Sequence, residues 1–518
     1  MRRPRRILTP QQMRLVDQAT ITAGIPGLLL MENAAHRVVE YLAARYAPLS
    51  GQAVTVVCGQ GNNGGDGLAI ARQLHVRFQL RALHVVLVAD AARLQGDAAL
   101  NLQMLRASGV REQRTFSPGA LEATLVVDAV LGTGLEGAAR GEALEAIRVI
   151  NAFPRAAVVA VDIPSGLCGS SGDVPGEYVR ANATVTFTAP KVCHAVPCAA
   201  ALMGELVVAP IGSDPATYED DESILLGWIT PEFIAPLFAP RASDGNKGRY
   251  GHVLIVAGSR GKAGAAAMAG LAALRVGAGL VTVAAPESLV PVVAAMCPEI
   301  MMEALPETSA GAIALPAAER ILELASTRTV TAIGPGIGTS HETREVVRRV
   351  FAESDRPLFV DADGLNCLAG TDWRGGAVRV LTPHPGEMSR LTGRDISTVQ
   401  RDRIGSARAL AFERNVCVIL KGEGTAVAWP GGDVWINPTG TPALATGGTG
   451  DILTGMLAGL AAQFPSDLGR AVAGAVFLHG RAGELAARQL GEQPVIATDL
   501  LRHLAEGIRG ITLVHDAL

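Results

Sequence analysis

At 518 residues the chain exceeds the size at which one hydrophobic core stops growing, and a 49% hydrophobic content suffices for two cores. A formal net charge of −4 gives no electrostatic grounds for binding nucleic acid or an anionic membrane, which leaves small molecules as the expected partners. Seven cysteines (Cys58, Cys168, Cys193, Cys198, Cys297, Cys367 and Cys417), odd in number and without C-x-x-C spacing, argue against a disulfide framework or a zinc site and for a reducing cytoplasm.

The chain opens on a basic stretch, Met1–Arg6, followed by Thr9-Pro10-Gln11-Gln12 rather than an apolar run, so a solvated tail is expected and not a leader. Short β-branched runs then alternate with Ala/Leu-rich helical stretches, the pattern of α/β domains with largely parallel sheets. In the first half the strands are expected at Ala53–Cys58, Leu83–Ala89, Thr124–Val130, Ala157–Val161, Ala183–Phe187 and Glu205–Val208. The first of these leads into Gly59-Gln60-Gly61-Asn62-Asn63-Gly64-Gly65-Asp66-Gly67, and a helical pattern follows at Leu68, Ala71, Leu74 and His75. Gly59, Gly61 and Gly64 satisfy G-x-G-x-x-G, and Asp90 closes the next strand where a ribose-binding acid would sit. Alone this describes a dinucleotide-binding domain, but Asn62-Asn63 and Asp66 are foreign to that fingerprint. Two further strand ends carry acids: Asp128, before Gly132-Thr133-Gly134-Leu135-Glu136-Gly137-Ala138, and Asp162, before Ile163-Pro164-Ser165-Gly166. Taken singly, Asp128 reads equally as a strand-end acid that caps a turn.

The acidic segment Ser213–Glu222, short of apolar residues, places the domain boundary between 1–220 and 221–518. Beyond it the most apolar run, Ala263–Pro286, is rich in Ala and Gly and broken by Arg275, too little for a membrane span. Strands are expected at His252–Ala257, Leu280–Ala284, Val330–Ile333, Pro357–Val360, Val378–Leu381 and Val416–Leu420, with a hairpin Ala426–Trp429 and Asp433–Ile436. Glycine or charge follows these strands in Gly258-Ser259-Arg260-Gly261-Lys262-Ala263-Gly264-Ala265, Gly334–Gly338, Asp361-Ala362-Asp363, Thr382-Pro383-His384-Pro385-Gly386-Glu387 and Lys421-Gly422-Glu423-Gly424-Thr425. No P-loop is present. The most telling segment is Thr441-Pro442-Ala443-Leu444-Ala445-Thr446-Gly447-Gly448-Thr449-Gly450-Asp451. Its glycines bare peptide N–H groups where the helical pattern Ile452, Leu453, Met456, Leu457 begins, and such helix starts bind anions. Asp451 beside that hole would take a proton from a hydroxyl as a phosphoryl group arrives.

These motifs are similar to two families. The first three strand ends, with Leu8–Met13, Leu30–Ala35 and Ala189-Pro190-Lys191, resemble the Rossmann-like NAD(P)H-hydrate epimerase domain over about residues 8–212. The second set, over about 228–510, resembles the ribokinase-like ADP-dependent NAD(P)H-hydrate dehydratase domain. Ribokinase-like kinases generally carry N-x-x-E where this chain has His384 and Glu387, the form of the dehydratase branch. The resemblance implies an α/β protein with an N-terminal Rossmann-like three-layer domain and a C-terminal ribokinase-like domain. It implies that Asn62, Asn63, Gly64, Gly65, Asp66 and the loop Gly132–Ala138 hold the hydrated dinucleotide, with Asp162 as acid/base, and that Asn63, Asp128 and Ser165 ligate potassium. In the second half it implies Lys421–Thr425 and Thr441–Gly450 for the nucleotide, and Ala265, Gly338, His384, Pro385, Gly386 and Glu387 for the hydrate. Asp451 is the implied base. ADP is the implied co-substrate, with ATP equally compatible with the anion hole, and magnesium accompanies it. Asp361 and Asp363 either position that magnesium or cap the turn after their strand. A homo-oligomer is expected. Two alternatives remain: a ribokinase-like vitamin or sugar kinase, and an N-terminal half that serves as a dinucleotide-binding or scaffolding module.

Overall fold

The computed structural model describes residues 3–135, 137–196, 199 and 202–516, without the side chains of 513–516; Glu136 and Cys198 lie outside the described residues. The chain divides into two compact units, Arg6–Ile224 and Met1–Arg5 together with Leu225–Leu518. The strands of the first half are β1 (Arg5–Arg6), β2 (Ala53–Cys58), β3 (Ala82–Leu87), β4 (Leu125–Ala129), β5 (Ala157–Val161), β6 (Ala183–Phe187) and β7 (Glu205–Ala209). Those of the second are β8 (Leu226–Trp228), β9 (His252–Val256), β10 (Leu280–Pro286), β11 (Met301–Leu305), β12 (Val330–Ile333), β13 (Leu358–Val360), β14 (Arg379–Leu381), β15 (Cys417–Leu420), β16 (Ala426–Ala428) and β17 (Val434–Ile436).

In the first unit six parallel strands run in the order β3-β2-β4-β5-β6-β7. Successive side chains of a strand point to opposite faces. Val54, Val56 and Cys58 accordingly join a core with Leu68, Ile70 and Leu74, whereas Val57 joins another with Val126, Ile147 and Ile150. Both faces are covered, which makes three layers and explains why the strands read as unbroken apolar runs. Each fully buried Val, Leu or Ile contributes roughly 1.5–3 kcal/mol relative to exposure. From β2 the chain steps to β3 on one side and, later, to β4 on the other; the connections after β2 and β4 therefore diverge and open a crevice at their carboxyl ends.

The helix after β2 runs from Asn62 to Arg77, beginning at Asn62 and not at Leu68 as the apolar spacing suggests. The glycines taken for a loop are packing residues. A β-carbon on Gly59 would lie 1.9 Å from the Val130 carbonyl oxygen, one on Gly64 2.0 Å from the Gly59 carbonyl oxygen, and one on Gly67 2.6 Å from the Ala129 methyl. Gly59→Ala is therefore expected to destabilise the first unit by about 1–3 kcal/mol or more through overpacking against backbone. Calorimetry of the full chain checks this, since the transition of the second unit should stay in place.

From Arg3 onward the basic start is not a solvated tail, and Met1 and Arg2 lie outside the described residues. Arg3 pairs with Asp433, and Arg6, 3% exposed, donates to the carbonyls of Glu219, Asp221 and Ile224 at 2.7–3.1 Å. The acidic segment before Leu225 is likewise ordered, with a helical turn Ala216–Glu219 and a buried Tyr218. A single guanidinium that gathers three carbonyls fixes this segment onto the first unit.

In the second unit an eleven-stranded sheet has the order β1-β8-β17-β16-β15-β14-β13-β12-β9-β10-β11. From β11 to β15 all pairs are parallel, β16 runs antiparallel to both β15 and β17, and β17 pairs in parallel with β8. Trp429 N donates to Asp433 O at 2.8 Å to close the hairpin between β16 and β17. Three strands were not expected from sequence: β1, two residues in the stretch read as a tail, β8, only three residues long, and β11, an edge strand of Met-Met-Glu-Ala-Leu that lacks β-branched residues and is partly exposed. The chain leaves β9 toward β10 on one side and returns to β12 on the other, so the crevice here lies between β9 and β12. Among the described residues no helix is long and apolar enough to cross a membrane, and the six described cysteines are free.

Candidate active sites

At the β9/β12 crevice the two loops are tied together: Gly258 N donates to Pro335 O at 2.8 Å and Ser259 Oγ to Gly336 O at 2.7 Å. A β-carbon on Gly336 would touch the Ala265 and Lys262 side chains at 3.0 Å, so Ala265 and the Gly334–Gly338 loop share this edge. Lys262 Nζ and Gly338 N both donate to Asp363 Oδ2, at 2.8 and 2.9 Å. Asp363 thus fastens three strand-end loops together.

Asp361, directly after β13, is 1% exposed. Its Oδ1 accepts from Thr382 Oγ1 at 2.6 Å and Lys421 Nζ at 2.7 Å, and its Oδ2 from Thr454 Oγ1 at 2.7 Å. Burial alone would push the Asp361 carboxyl up, but the Lys421 ammonium and these hydrogen bonds hold it below the usual range. Burial likewise opposes the charge of Lys421, and Asp361 with Glu387, 3.8 Å away, more than restores it. The residue that follows Asp361, Ala362, has φ 50°, a conformation costly for a side chain and frequent at functional sites.

The helix Thr449–Gln463 starts from Gly448 at φ 93°, where a β-carbon would strike Met268 at 2.8 Å. The N–H groups of Gly447, Gly448, Thr449, Gly450 and Asp451 have no acceptor among the described residues. Gly450 turns toward the buried pair, since a β-carbon there would lie 3.5 Å from Lys421 Nζ and 3.7 Å from Asp361 Oδ2. Thr454, one turn beyond Asp451, links the same helix to Asp361, and His479 Nε2 bonds Thr449 O at 2.9 Å. Burial pushes His479 down to about 4, so it is neutral and donates at this atom. Asp451 itself accepts no hydrogen bond among the described residues, and burial together with Asp361 pushes it up to about 6. Lys421, Lys262, Asp361 and Asp363 all influence it, so the residues expected from four separate strand ends converge on one place.

His384 caps the helix Pro385–Thr392: its Nδ1 accepts from Gly386 N at 3.0 Å, while Glu387 Oε2 accepts from His384 N at 2.8 Å. An imidazole so used performs the capping task of an asparagine side chain. Burial and nearby Lys421 lower the His384 pKa, which keeps the acceptor lone pair on Nδ1. Burial raises that of Glu387. Gly422 and Glu423 stand on the exposed rim with Gly424 half-buried, and Thr425 Oγ1 closes their turn on Gly422 O at 2.8 Å. No hydrogen bond among the described residues joins Glu423 or Gly424 to Thr441–Gly447; both segments simply leave the same sheet edge. Thr441 caps the turn Pro442–Leu444, with Ala445 next, and Thr449 Oγ1 bonds the carbonyls of Leu444 and Thr446 at 3.0 Å.

In the first unit Asp162 follows β5 at φ 66°. Its Oδ1 accepts from Lys191 Nζ at 2.6 Å and Thr186 Oγ1 at 2.8 Å. Burial would raise this carboxyl; Lys191 overrides it and holds Asp162 ionised. Lys191, 2% exposed, also donates to Phe187 O at 2.9 Å, and its backbone N donates to His194 Nδ1 at 2.8 Å. Asp66, in the first turns of the helix Asn62–Arg77, is pushed well up by burial and then by Asp162. Gly65 packs on Met31, and Asn62 heads the helix.

The second cluster lies at the β2/β4 crevice. Asn63 Nδ2 donates to Leu131 O at 3.0 Å, and its buried Oδ1 has no partner among the described residues. Asp128 accepts from Ser165 Oγ at 2.6 Å and Ser165 N at 2.8 Å, and burial pushes it up to about 6. Ser165 Oγ also meets Leu131 O at 3.2 Å. The structure thus brings Asn63, Asp128 and Ser165 together. A β-carbon on Gly132 would lie 3.3 Å from Asn63, so the loop Gly132–Ala138 starts against them. Thr133, Gly134, Leu135, Gly137 and Ala138 follow, with Glu136 outside the described residues. Asp90 is elsewhere in role: it caps the short turn Ala91–Arg93 in an exposed position. Sequence reasoning missed Asp17, Thr186, His194, Thr454 and His479 as parts of these sites. Only Thr454 left a signal, three positions after Asp451 on one helix face.

A family model described as NAD(P)H-hydrate dehydratase matches residues 253–506, and one described as YjeF-related protein N-terminus matches residues 27–193. The chain is 40% identical to the bifunctional NAD(P)H-hydrate repair enzyme Nnr of Moorella thermoacetica, covering 98% of this chain and 97% of that one. It is 38% identical to the enzyme of the same name from Coxiella burnetii, covering 95% and 97%. Among solved structures it is similar to an ADP/ATP-dependent NAD(P)H-hydrate dehydratase from Bacillus subtilis co-crystallized with ATP/Mg2+. There the identity is 32% and the TM-score 0.49, covering 55% of this chain and 98% of that chain. Two relatives that run nearly the whole length, with a family model on each half, show that the chain belongs to the bifunctional NAD(P)H-hydrate repair enzymes.

Proposed function

We propose that the first unit interconverts the epimers of hydrated NADH and NADPH and that the second dehydrates the S epimer at the expense of ADP, giving AMP and phosphate. The carrying observation is Asp451, which has no hydrogen-bond partner among the described residues and stands at a helix start whose N–H groups have no acceptor among them, with the Lys421 ammonium beside it. Hydroxide is a poor leaving group. Asp451 takes the hydroxyl proton as oxygen attacks the terminal phosphoryl, the N–H groups and Lys421 receive the negative charge, and phosphate then departs to restore the dihydropyridine. Gly447–Gly450 and Lys421–Thr425 would hold the nucleotide, and Ala265, Gly338 and His384–Glu387 the hydrate. Magnesium, bound with the nucleotide, would neutralise phosphate charge. Glu387 and Asp363 Oδ1, which accepts no hydrogen bond among the described residues, are the carboxylate oxygens left for it, because both oxygens of Asp361 are already occupied by Lys421, Thr382 and Thr454. ATP presents the same terminal phosphoryl to the same groups.

In the first unit Asp162 would act at the hydroxyl-bearing carbon, with Asn62–Asp66 and Gly132–Ala138 holding the dinucleotide. Potassium fits the oxygen cluster formed by the partnerless Asn63 Oδ1 together with Asp128 and Ser165. A cytoplasmic homo-oligomer belongs to the same proposal, and light scattering reads its assembly.

The test incubates the purified chain with mixed hydrate epimers, magnesium and either ADP or ATP, following the return of reduced-nicotinamide absorbance. Full recovery from both epimers is expected; a stable phosphorylated product would instead make the second unit a kinase. Because the base must be ionised, kcat/KM for dehydration should rise with pH through about 6, the position of Asp451. Lys421→Met should move that rise to higher pH, since the ammonium holds Asp451 down. A rise that stays in place in the variant would place the base elsewhere.

A further inference from the structure

We propose that Asp17, on the helix Pro10–Thr22, is the proton donor that works opposite Asp162 during epimerisation. This rests on the epimerase reading of the first unit. Asp17 Oδ1 is buried without a hydrogen-bond partner among the described residues, a costly arrangement unless a proton or a ligand atom meets it. Its helix is locked to the segment that supplies Lys191. Leu8 N donates to Pro190 O at 2.9 Å, Val192 N donates to Leu8 O at 3.2 Å, and Met13 and Val16 pack with Ala189. The charged and titratable groups that face Asp17 are Lys191, Asp162 and Asp66. The ammonium of Lys191 is bound by Asp162 alone, at 2.6 Å, and acts on Asp17 and Asp66 only through its charge. Burial, opposed by Lys191 and helped by Asp162, pushes Asp17 up to about 6, while His194 beside Asp162 is neutral because burial pushes it to about 4. One carboxyl held ionised and another held near protonation is the division of labour between a base and an acid.

The substrate hydrate carries its hydroxyl on the carbon next to the ring nitrogen. As that C–O bond breaks, Asp17 gives its proton to the departing hydroxyl, which leaves as water, and the nitrogen lone pair forms a C=N bond. Water then adds to the opposite face; the new C–O bond forms, the C=N pair returns to nitrogen, and Asp162 takes the surplus proton. Transfer of that proton from Asp162 back to Asp17 through water closes the cycle without a further reagent.

The experiment uses the full chain without nucleotide and separates the epimers by chromatography across a pH series. Asp17→Asn should slow epimerisation about 100-fold or more and abolish the fall in rate as pH rises through the donor's range, while Asp17→Glu stays within about tenfold of the parent. Dehydration of the S epimer by the same samples reports an intact second unit. A parent protein that does not interconvert epimers defeats the epimerase reading itself. If the parent does so and Asp17→Asn keeps its rate within about threefold with an unchanged pH profile, Asp17 is not the donor. Should Asp17→Asn fail to fold, Asp17→Glu decides: a high-pH fall that does not move overturns the proposal.

Discussion

Asp451→Asn is expected to reduce nucleotide-driven dehydration by about 10²–10⁴-fold while leaving epimer interconversion at its parental rate, because general-base catalysis contributes about that much and no other residue of the site is an unpaired carboxylate. Asparagine keeps the size of the side chain and the helix start, and since Asp451 accepts no hydrogen bond among the described residues, nothing structural is lost with its charge. Asp162→Asn should give the opposite pattern. Here a structural cost accompanies the loss of chemistry, because asparagine offers Lys191 Nζ an acceptor oxygen beside Thr186 Oγ1 and Phe187 O but no longer balances its buried charge. Dehydration by that variant reports whether the rest of the chain is intact. Rates for both reactions on both variants check the assignment, and equal loss of both activities in both would break it.

The second large effect concerns stability. Asp361→Ala leaves the Lys421 ammonium, whose side chain is 19% exposed, with Glu387 at 3.8 Å as its remaining partner, and strips the acceptor from the buried Thr454 hydroxyl. Breaking a buried pair from one side costs about 3–5 kcal/mol, far more than the pair contributes relative to an apolar replacement. Asp361→Asn, which keeps an acceptor oxygen but not the charge, should fall between the two. Denaturant titration of the full chain measures both. A loss below about 1 kcal/mol for alanine would mean that Lys421 swings out to solvent and the site is not prearranged.

Much of this was legible because a parallel sheet gathers the residues after each strand onto one edge. The motifs at Gly59, Asp128, Asp162, Gly334, Asp361, His384 and Lys421 needed only the strands to be found, and buried parallel strands announce themselves as apolar runs. What stayed hidden has physical reasons. The link Asp361–Thr454 spans 93 positions and Asp361–Lys421 spans 60, and nothing local encodes such pairings. Asn62–Gly67 looked like a loop because glycine breaks helices on average, whereas here its missing side chain is what lets the helix approach β2 and β4. Asp17 lies in an ordinary amphipathic helix and gains meaning only from the lysine beside which the fold sets it. Arg6 looked solvated because arginine usually is; its burial follows from carbonyls that lie more than 200 positions away.

The chain's beginning belongs with its end. Met1–Arg5 clusters with Leu225–Leu518, so in sequence the first unit is an insertion within the second. A dehydratase half expressed from Leu225 onward would be missing a piece of itself, including the Arg3 partner of Asp433. The smallest faithful version is discontinuous, with the segment that carries Arg3 spliced ahead of Leu225, and gene dissection at the apparent junction would underestimate how well that half stands alone.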